Sequence, residues 1–169
     1  MSFSNQVKTE LCRGELSRRC CARAEAYGAL LFCRSFTREE IKLVTGTPAF
    51  AKRLPELFRR AFRVEFDAVT ASAAGKQTFR LTDPAKLTAV REAFGYEPEA
   101  FLAHHINFAV VEEDHCRSAF LRGAFLAGGS VSDPAKSYHL ELCTTHFNVS
   151  RELSALLREA GFEPKQTTR

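Results

Sequence analysis

A chain of 169 residues, 45% hydrophobic and 26% charged, has the make-up of one globular domain, or one and a fraction, with a core that needs no disulfides. No apolar run reaches the ~20 residues of a membrane span, and the start Met1–Lys8 lacks the basic-then-apolar order of a secretory signal, so a cytoplasmic setting is expected. The net charge of +4 permits a nucleic-acid partner without requiring one, and the six cysteines (Cys12, Cys20, Cys21, Cys33, Cys116 and Cys143) are expected as thiols that pack like small hydrophobes.

Ser17 to Cys33 reads as a helix with small residues on one face. Glu40 to Thr45 alternates as a strand does, with Ile41 and Leu43 on one side. Ala49 to Phe62 carries the helical stripe Leu54, Leu57, Phe58 and Phe62. Pro55 fits a helix interior poorly, so this helix is expected to start near it or to kink there. Arg63 to Ala71 sets Val64, Phe66 and Ala68 against Arg63, Glu65 and Asp67, which predicts a strand. Ala74-Gly75-Lys76 is a turn, and Gln77 to Leu81 returns as a second strand. Thr82 or Asp83 caps a helix with Pro84 in its first turn; it runs to Phe94 and closes at Gly95. Glu97 to Asp114 is a linker with one short helical turn.

A second long helix spans about 114–127, followed by a strand over 138–143 and a helix over about 150–160 that Gly161 ends. Gly128-Gly129 is expected to stop the long helix, because glycine tolerates the positive φ of a C-cap. Phe162 to Arg169 looks like the start of another strand.

The chain repeats itself. With Cys21 laid on Cys116, Ala24 meets Ala119, Gly28 meets Gly123, Ala29 meets Ala124, Leu31 meets Leu126 and Ser35 meets Ser130. With Leu54 laid on Leu153, Leu57 meets Leu156, Arg59 meets Arg158 and Ala61 meets Ala160, while Ile41 and Leu43 meet Leu140 and Leu142. The change of register falls within Ser130–Ser137. A tandem duplication is the simplest account. It predicts a first repeat over 1–95, a linker over 96–114 and a second repeat over 115–169. By the first copy, a hairpin and a helix should follow the second, so a truncated repeat, or one that a partner completes, is expected, with a frayed terminus as the alternative. An open strand edge at Phe162–Arg169 predicts poor solubility or a dimer.

The run Leu121-Arg-Gly-Ala-Phe-Leu-Ala-Gly-Gly129 resembles the LAGLIDADG helix of homing endonucleases: Leu121, Gly123, Ala127 and Gly129 match that motif. Its metal-binding acid falls on Gly128 and its other acid on Leu126, and neither side chain can hold a divalent metal. Across the repeat, the paired positions are Cys33 and Gly128. No catalytic residue is therefore expected. The opening Ser2-Phe-Ser4, Val7-Lys8 and Glu10-Leu11, then Arg19-Cys-Cys21 with Ala24-Glu25, and above all Phe120–Ser130 with Asp133-Pro134 and Tyr138-His-Leu-Glu141, are similar to the N-terminal part of the WhiA family. That resemblance implies an α+β fold of LAGLIDADG-like tandem α-β-α-β-β-α repeats, with paired central helices on antiparallel sheets and the second repeat incomplete. It implies a regulator of sporulation, cell division or chromosome segregation, whose C-terminal helix-turn-helix is absent from this sequence. No cofactor is implied.

A DNA saddle would place cations on the strands to neutralise phosphates. The candidates are Lys42, Arg63, Lys76, Arg80, Lys136 and His139, interrupted by Glu65, Asp67 and Glu141. Double-stranded DNA is thus one expected partner; a protein partner or self-association without DNA contact is the other, and no membrane is expected. Pairing of the two long helices should bring Cys20-Cys21 near His115-Cys116, a soft set suited to zinc. Neighbouring side chains on a helix point about 100° apart, so packed thiols are favoured over metal. His104-His105 reads as surface polarity. Phe58, Phe62, Phe66, Phe79 and Phe94, with all three tyrosines, are expected in the core.

Overall fold

The computed structural model describes residues 2–16, 18–96 and 104–168. At its centre two helices lie against each other, α2 (Arg19–Leu31) and α5 (Asp114–Gly128). Their contact runs through bare backbone. A methyl at Gly28 would reach the Phe120 carbonyl and come within 2.8 Å of the Ala124 nitrogen. One at Gly123 would overlap the Glu25 carbonyl oxygen and sit 3.0 Å from the Ala29 nitrogen. The two glycines, aligned by the repeat, are reciprocal partners. Most of α2 is enclosed, with Ala22, Ala24, Ala26, Tyr27, Ala29, Leu30 and Leu31 all at zero exposure.

Each central helix feeds a sheet. After α2 come β1 (Ser35–Phe36), β2 (Ile41–Thr45), α3 (Pro48–Phe62), β3 (Ala68–Ala71), β4 (Gln77–Leu81) and α4 (Pro84–Ala93). The sheet is antiparallel in the order β1-β2-β4-β3. After α5 come β5 (Gly129–Val131), β6 (Leu140–Leu142) and α6 (Phe147–Glu159), with β5 and β6 paired antiparallel. The short helical turn of the linker is the 3-10 turn Phe108–Val111; the rest of the expected linker over 97–103, like Ser17 and Arg169, lies outside the described residues. An α+β fold of tandem repeats with paired central helices is what the structure holds.

Sequence periodicity explains most elements. Helix α3 buries Phe50, Leu54, Leu57, Phe58, Ala61 and Phe62 on one face, and each full Leu or Phe burial contributes about 1.5–3 kcal/mol. The helix begins at Pro48, where the missing N–H costs nothing, and runs through Pro55 rather than starting there. Asp83, not Thr82, caps α4, its carboxylate accepting from the Lys86 N–H at 3.1 Å. Asp67 accepts from Lys86 Nζ and from the Asp83 and Thr82 N–H groups, contacts that hold its carboxyl down at about 2.

Several expectations need correction. The strand over Arg63–Ala71 is confined to Ala68–Ala71. Arg63 is the left-handed C-cap of α3 (φ 58°, ψ 38°), and Val64 and Phe66 turn inward from a loop, Phe66 packing on Phe58 and Phe79. Gly129 is extended (φ −99°, ψ 157°) and opens β5, so no positive φ stops α5. Glycine is needed at Gly128 and Gly129 for space: added methyls would lie 2.6 Å from the Cys143 carbonyl oxygen and 2.7 Å from Phe125 Cα. The described residues 162–168 form no strand, since a single extended segment gains nothing without a paired neighbour. Tyr138 is 91% exposed, whereas Tyr27 is buried, stacked on Phe94 at 4.2 Å, with its hydroxyl donating to the His105 carbonyl.

His104 is not surface polarity. It is buried, stacked on Phe36, and its Nε2–H donates to the Phe36 carbonyl at 2.6 Å. His146 meets its ring edge-on at 4.3 Å. Burial, then repulsion from His104, pushes His146 down to about 4, and burial lowers His104 as well. Both imidazoles resist protonation when folded and accept it near 6.5 when unfolded, so stability present above pH 6.5 is lost as pH falls toward 4. Urea midpoints followed across that window should fall steeply for the parent chain and less for His146→Gln. Equal slopes would acquit the pair.

Candidate nucleic-acid interface

The four-stranded sheet has an inner face and an open one, set by the pleat. Ile41, Leu43, Phe79 and Leu81 point inward and are buried. The cross-strand register Ser35↔Lys42↔Arg80↔Ala68 puts Lys42 and Arg80 directly opposite each other on the open face. The next row, Val44↔Thr78↔Thr70, is small and uncharged on its polar members. All of these open-face residues are partly or fully exposed. Glu40 reaches Arg80 at 3.7 Å, a surface ion pair of about 0–1 kcal/mol that offsets one of the row's two positive charges.

The other four sequence candidates are spread out. Lys76 is exposed at the end of the β3–β4 turn, where Gly75 has φ 82°. Lys136 and His139 are exposed in the β5–β6 connection, and His139 Nε2 lies 3.1 Å from Glu141 Oε2. Arg63, expected on a strand, is the C-cap at the end of α3 and so belongs to the helical layer. Two of the six candidates therefore form one adjacent pair, two flank a second hairpin, one marks a turn tip and one faces elsewhere.

At the foot of the helix pair, the positions of a nuclease's acids hold Cys33 and Gly128. A methyl on Gly128 would lie 2.9 Å from the Phe32 carbonyl oxygen, so the two feet touch. The Cys33 thiol hydrogen-bonds with the Leu30 and Ser35 carbonyls (3.1 and 3.2 Å), and burial pushes it up to about 12. A neutral thiol beside a glycine offers no oxygen to a hard divalent ion.

Two groups carry signals that sequence reading passed over. Helix α1 (Phe3–Leu11) was not expected; its Ser4 hydroxyl exchanges hydrogen bonds with Val131 in β5, and Asn5 accepts from Thr47 Oγ1 ahead of α3. Glu25, wholly buried on α2, accepts from Arg53 Nε and Nη2 and from Arg122 Nε, joining α2, α3 and α5. At the opposite end of the pair from Cys33, Cys20, Cys21, His115 and Cys116 do converge; Cys20 and His115 are exposed, unlike packed core thiols.

Comparison with known proteins gives a consistent picture. The profile of the WhiA LAGLIDADG-like domain matches residues 117–169. A protein described as probable cell division protein WhiA from Ruminiclostridium cellulolyticum is 34% identical over 98% of this chain and 56% of its own length. The protein of the same description from Alkaliphilus metalliredigens is 32% identical over 100% of this chain and 58% of its own. The chain thus spans little more than half the length of these relatives. The crystal structure of the N-terminal LAGLIDADG domain of DUF199/WhiA superposes with a TM-score of 0.72 at 19% identity, covering 99% of this chain and 80% of that one. Full-length DUF199/WhiA from Thermatoga maritima gives 0.66 at 20% identity, over 95% and 49%.

Proposed function

On the premise that this chain belongs to the WhiA family, we propose that it is a non-catalytic domain that docks on double-stranded DNA through the open face of its four-stranded sheet. The reading makes it part of a cytoplasmic, nucleoid-associated regulator of cell division. The observation that carries it is the pairing of Lys42 with Arg80 on an exposed face of polar and small residues. Cations at that spacing neutralise phosphates without reading bases. Lys76 extends the face at its turn, and Lys136 with His139 offers a second contact on the other hairpin. The Cys33 and Gly128 pair supports docking without hydrolysis.

Fluorescence anisotropy on random-sequence duplex DNA tests this. Weak binding that fades with salt is expected, without cleavage when magnesium is added. The slope of log K against log salt should become shallower by about 1 for each phosphate contact removed, hence by about 2 in the double variant Lys42→Ala, Arg80→Ala. Arg63→Ala should leave it unchanged. No binding at low salt would reject the saddle.

One observation favours the second reading, a protein-interaction or dimerisation module. Tyr138, Leu140, Phe147 and Phe162 are all large, apolar and exposed in the second repeat, where a monomer ordinarily buries such residues. A dimer by light scattering together with no DNA binding would select this reading.

A further inference from the structure

Four soft ligands meet where the two central helices begin. Cys20 and Cys21 lie in the first turn of α2, and His115 and Cys116 in the first turn of α5, at positions the repeat aligns. His115 Nδ1 lies 3.3 Å from Cys21 Sγ, 3.4 Å from Cys116 Sγ and 4.0 Å from Cys20 Sγ. All four ligand atoms are within 4.8 Å of one another. We propose that Cys20, Cys21, His115 and Cys116 form a Cys3His site for a structural zinc ion that fastens the starts of the paired helices.

The spacing fits the ion. With Zn–S of about 2.3 Å and Zn–N of about 2.0 Å, a tetrahedral site separates sulfur from nitrogen by about 3.5 Å and sulfur from sulfur by about 3.8 Å. The three sulfur–nitrogen distances bracket that value. Cys21 Sγ also reaches the His115 carbonyl at 3.8 Å, but three thiols face one ring nitrogen that can serve a single N–H or lone pair, so hydrogen bonding accounts for only part of the cluster. A cation placed among them satisfies all four. The ligand set selects the metal: thiolates and an imidazole in tetrahedral array suit zinc, while magnesium and calcium require oxygen. Four protein ligands fill the coordination sphere, which marks a structural rather than a catalytic site.

The surroundings favour the charge. Zinc with three thiolates and a neutral imidazole is a monoanion, formed as the three thiols release their protons. It would lie at two helix N-termini, whose N–H dipoles stabilise negative charge. The angular objection to adjacent cysteines applies to one helix taken alone. Here each helix contributes a neighbouring pair, and the ion would sit between the helices.

The test uses the full chain, purified reduced and without chelators. Elemental analysis should find about one zinc per chain, and replacement by cobalt should give the intense visible bands of tetrahedral thiolate coordination. Cys21→Ser and Cys116→Ser should lose most of the bound metal, while Cys143→Ser should keep it. Because Cys116 is buried, Cys20→Ser and His115→Ala serve as surface variants that retain the parental circular dichroism yet bind cobalt at least tenfold more weakly, a loss of about 1.4 kcal/mol. A strong chelator should lower the melting temperature of the parent and not of His115→Ala. Reduced, folded protein that stays colourless in excess cobalt would overturn the site. So would a disulfide linking Cys20, Cys21 or Cys116 in protein handled without air.

Discussion

Replacing Glu25 by alanine is expected to destabilise the chain by about 3–5 kcal/mol, a large share of the ~5–15 kcal/mol that holds an ordinary domain folded. The carboxylate has 0% exposure and stands between two guanidiniums, with the Arg53 side chain 6% and the Arg122 side chain 25% exposed. Removing it strands the Arg53 charge in the interior. Arg53 also donates through Nη1 to the Cys12 and Gly14 carbonyls, so the loss spreads to the loop between α1 and α2. Arg122→Ala should cost clearly less, because Arg53 remains bidentate on Glu25 and Arg122 already meets water. Urea unfolding followed by circular dichroism should rank the variants Glu25→Ala, Arg53→Ala, Arg122→Ala in decreasing severity. A Glu25→Ala chain within about 1 kcal/mol of the parent would show that the triad does not bind the helices together.

Gly123→Val should be at least as damaging. Even the first carbon of any side chain there overlaps backbone atoms of α2, which cannot swing aside as a flexible side chain would. Overpacking ordinarily costs about 1–3 kcal/mol; here the two helices must separate and loosen the core on both sides, so failure to fold is expected. Gly28→Val should behave alike, since Gly28 meets α5 in the same way. Gly46→Ala is the control: the nearest atom to its added methyl is Lys76 Cγ at 3.9 Å, so the change should stay within about 0.5 kcal/mol. Soluble yield and thermal melts separate these outcomes, and a well-folded Gly123→Val chain would contradict the packing described.

The helix pair was legible in the sequence because glycine and alanine recur at aligned places in both halves, a pattern that serves little else than close approach. Strands β2 and β4 were legible through plain alternation. Helix α1 was not: none of its residues is fully buried, so its apolar stripe is weak, and what holds it are Ser4 and Asn5 bonding to residues far along the chain. His104 was misread because its burial depends on Phe36, in a strand of two residues that no periodicity announces. Gly128 was read both as room for a close approach and, with Gly129, as a positive-φ helix stop; the first reading holds and the second does not. For the candidate interface, the sequence named the cations but not their grouping. Only the register sets Lys42 beside Arg80 and places Arg63 at a helix end. Glu25 gave one usable signal, an acid within a run of alanines, but its two arginine partners lie on other helices.

The partnership of α2 with α5 also governs how the chain comes off the ribosome. Contacts such as that of Cys20 with His115 join positions 95 residues apart. At ordinary rates of synthesis, α2 exists for roughly 5–20 s before its partner has been made. During that interval the face of α2 that meets α5 has no cover. The nascent first half is therefore expected to be a chaperone client, and productive folding to wait for the second half, whatever local structure forms sooner.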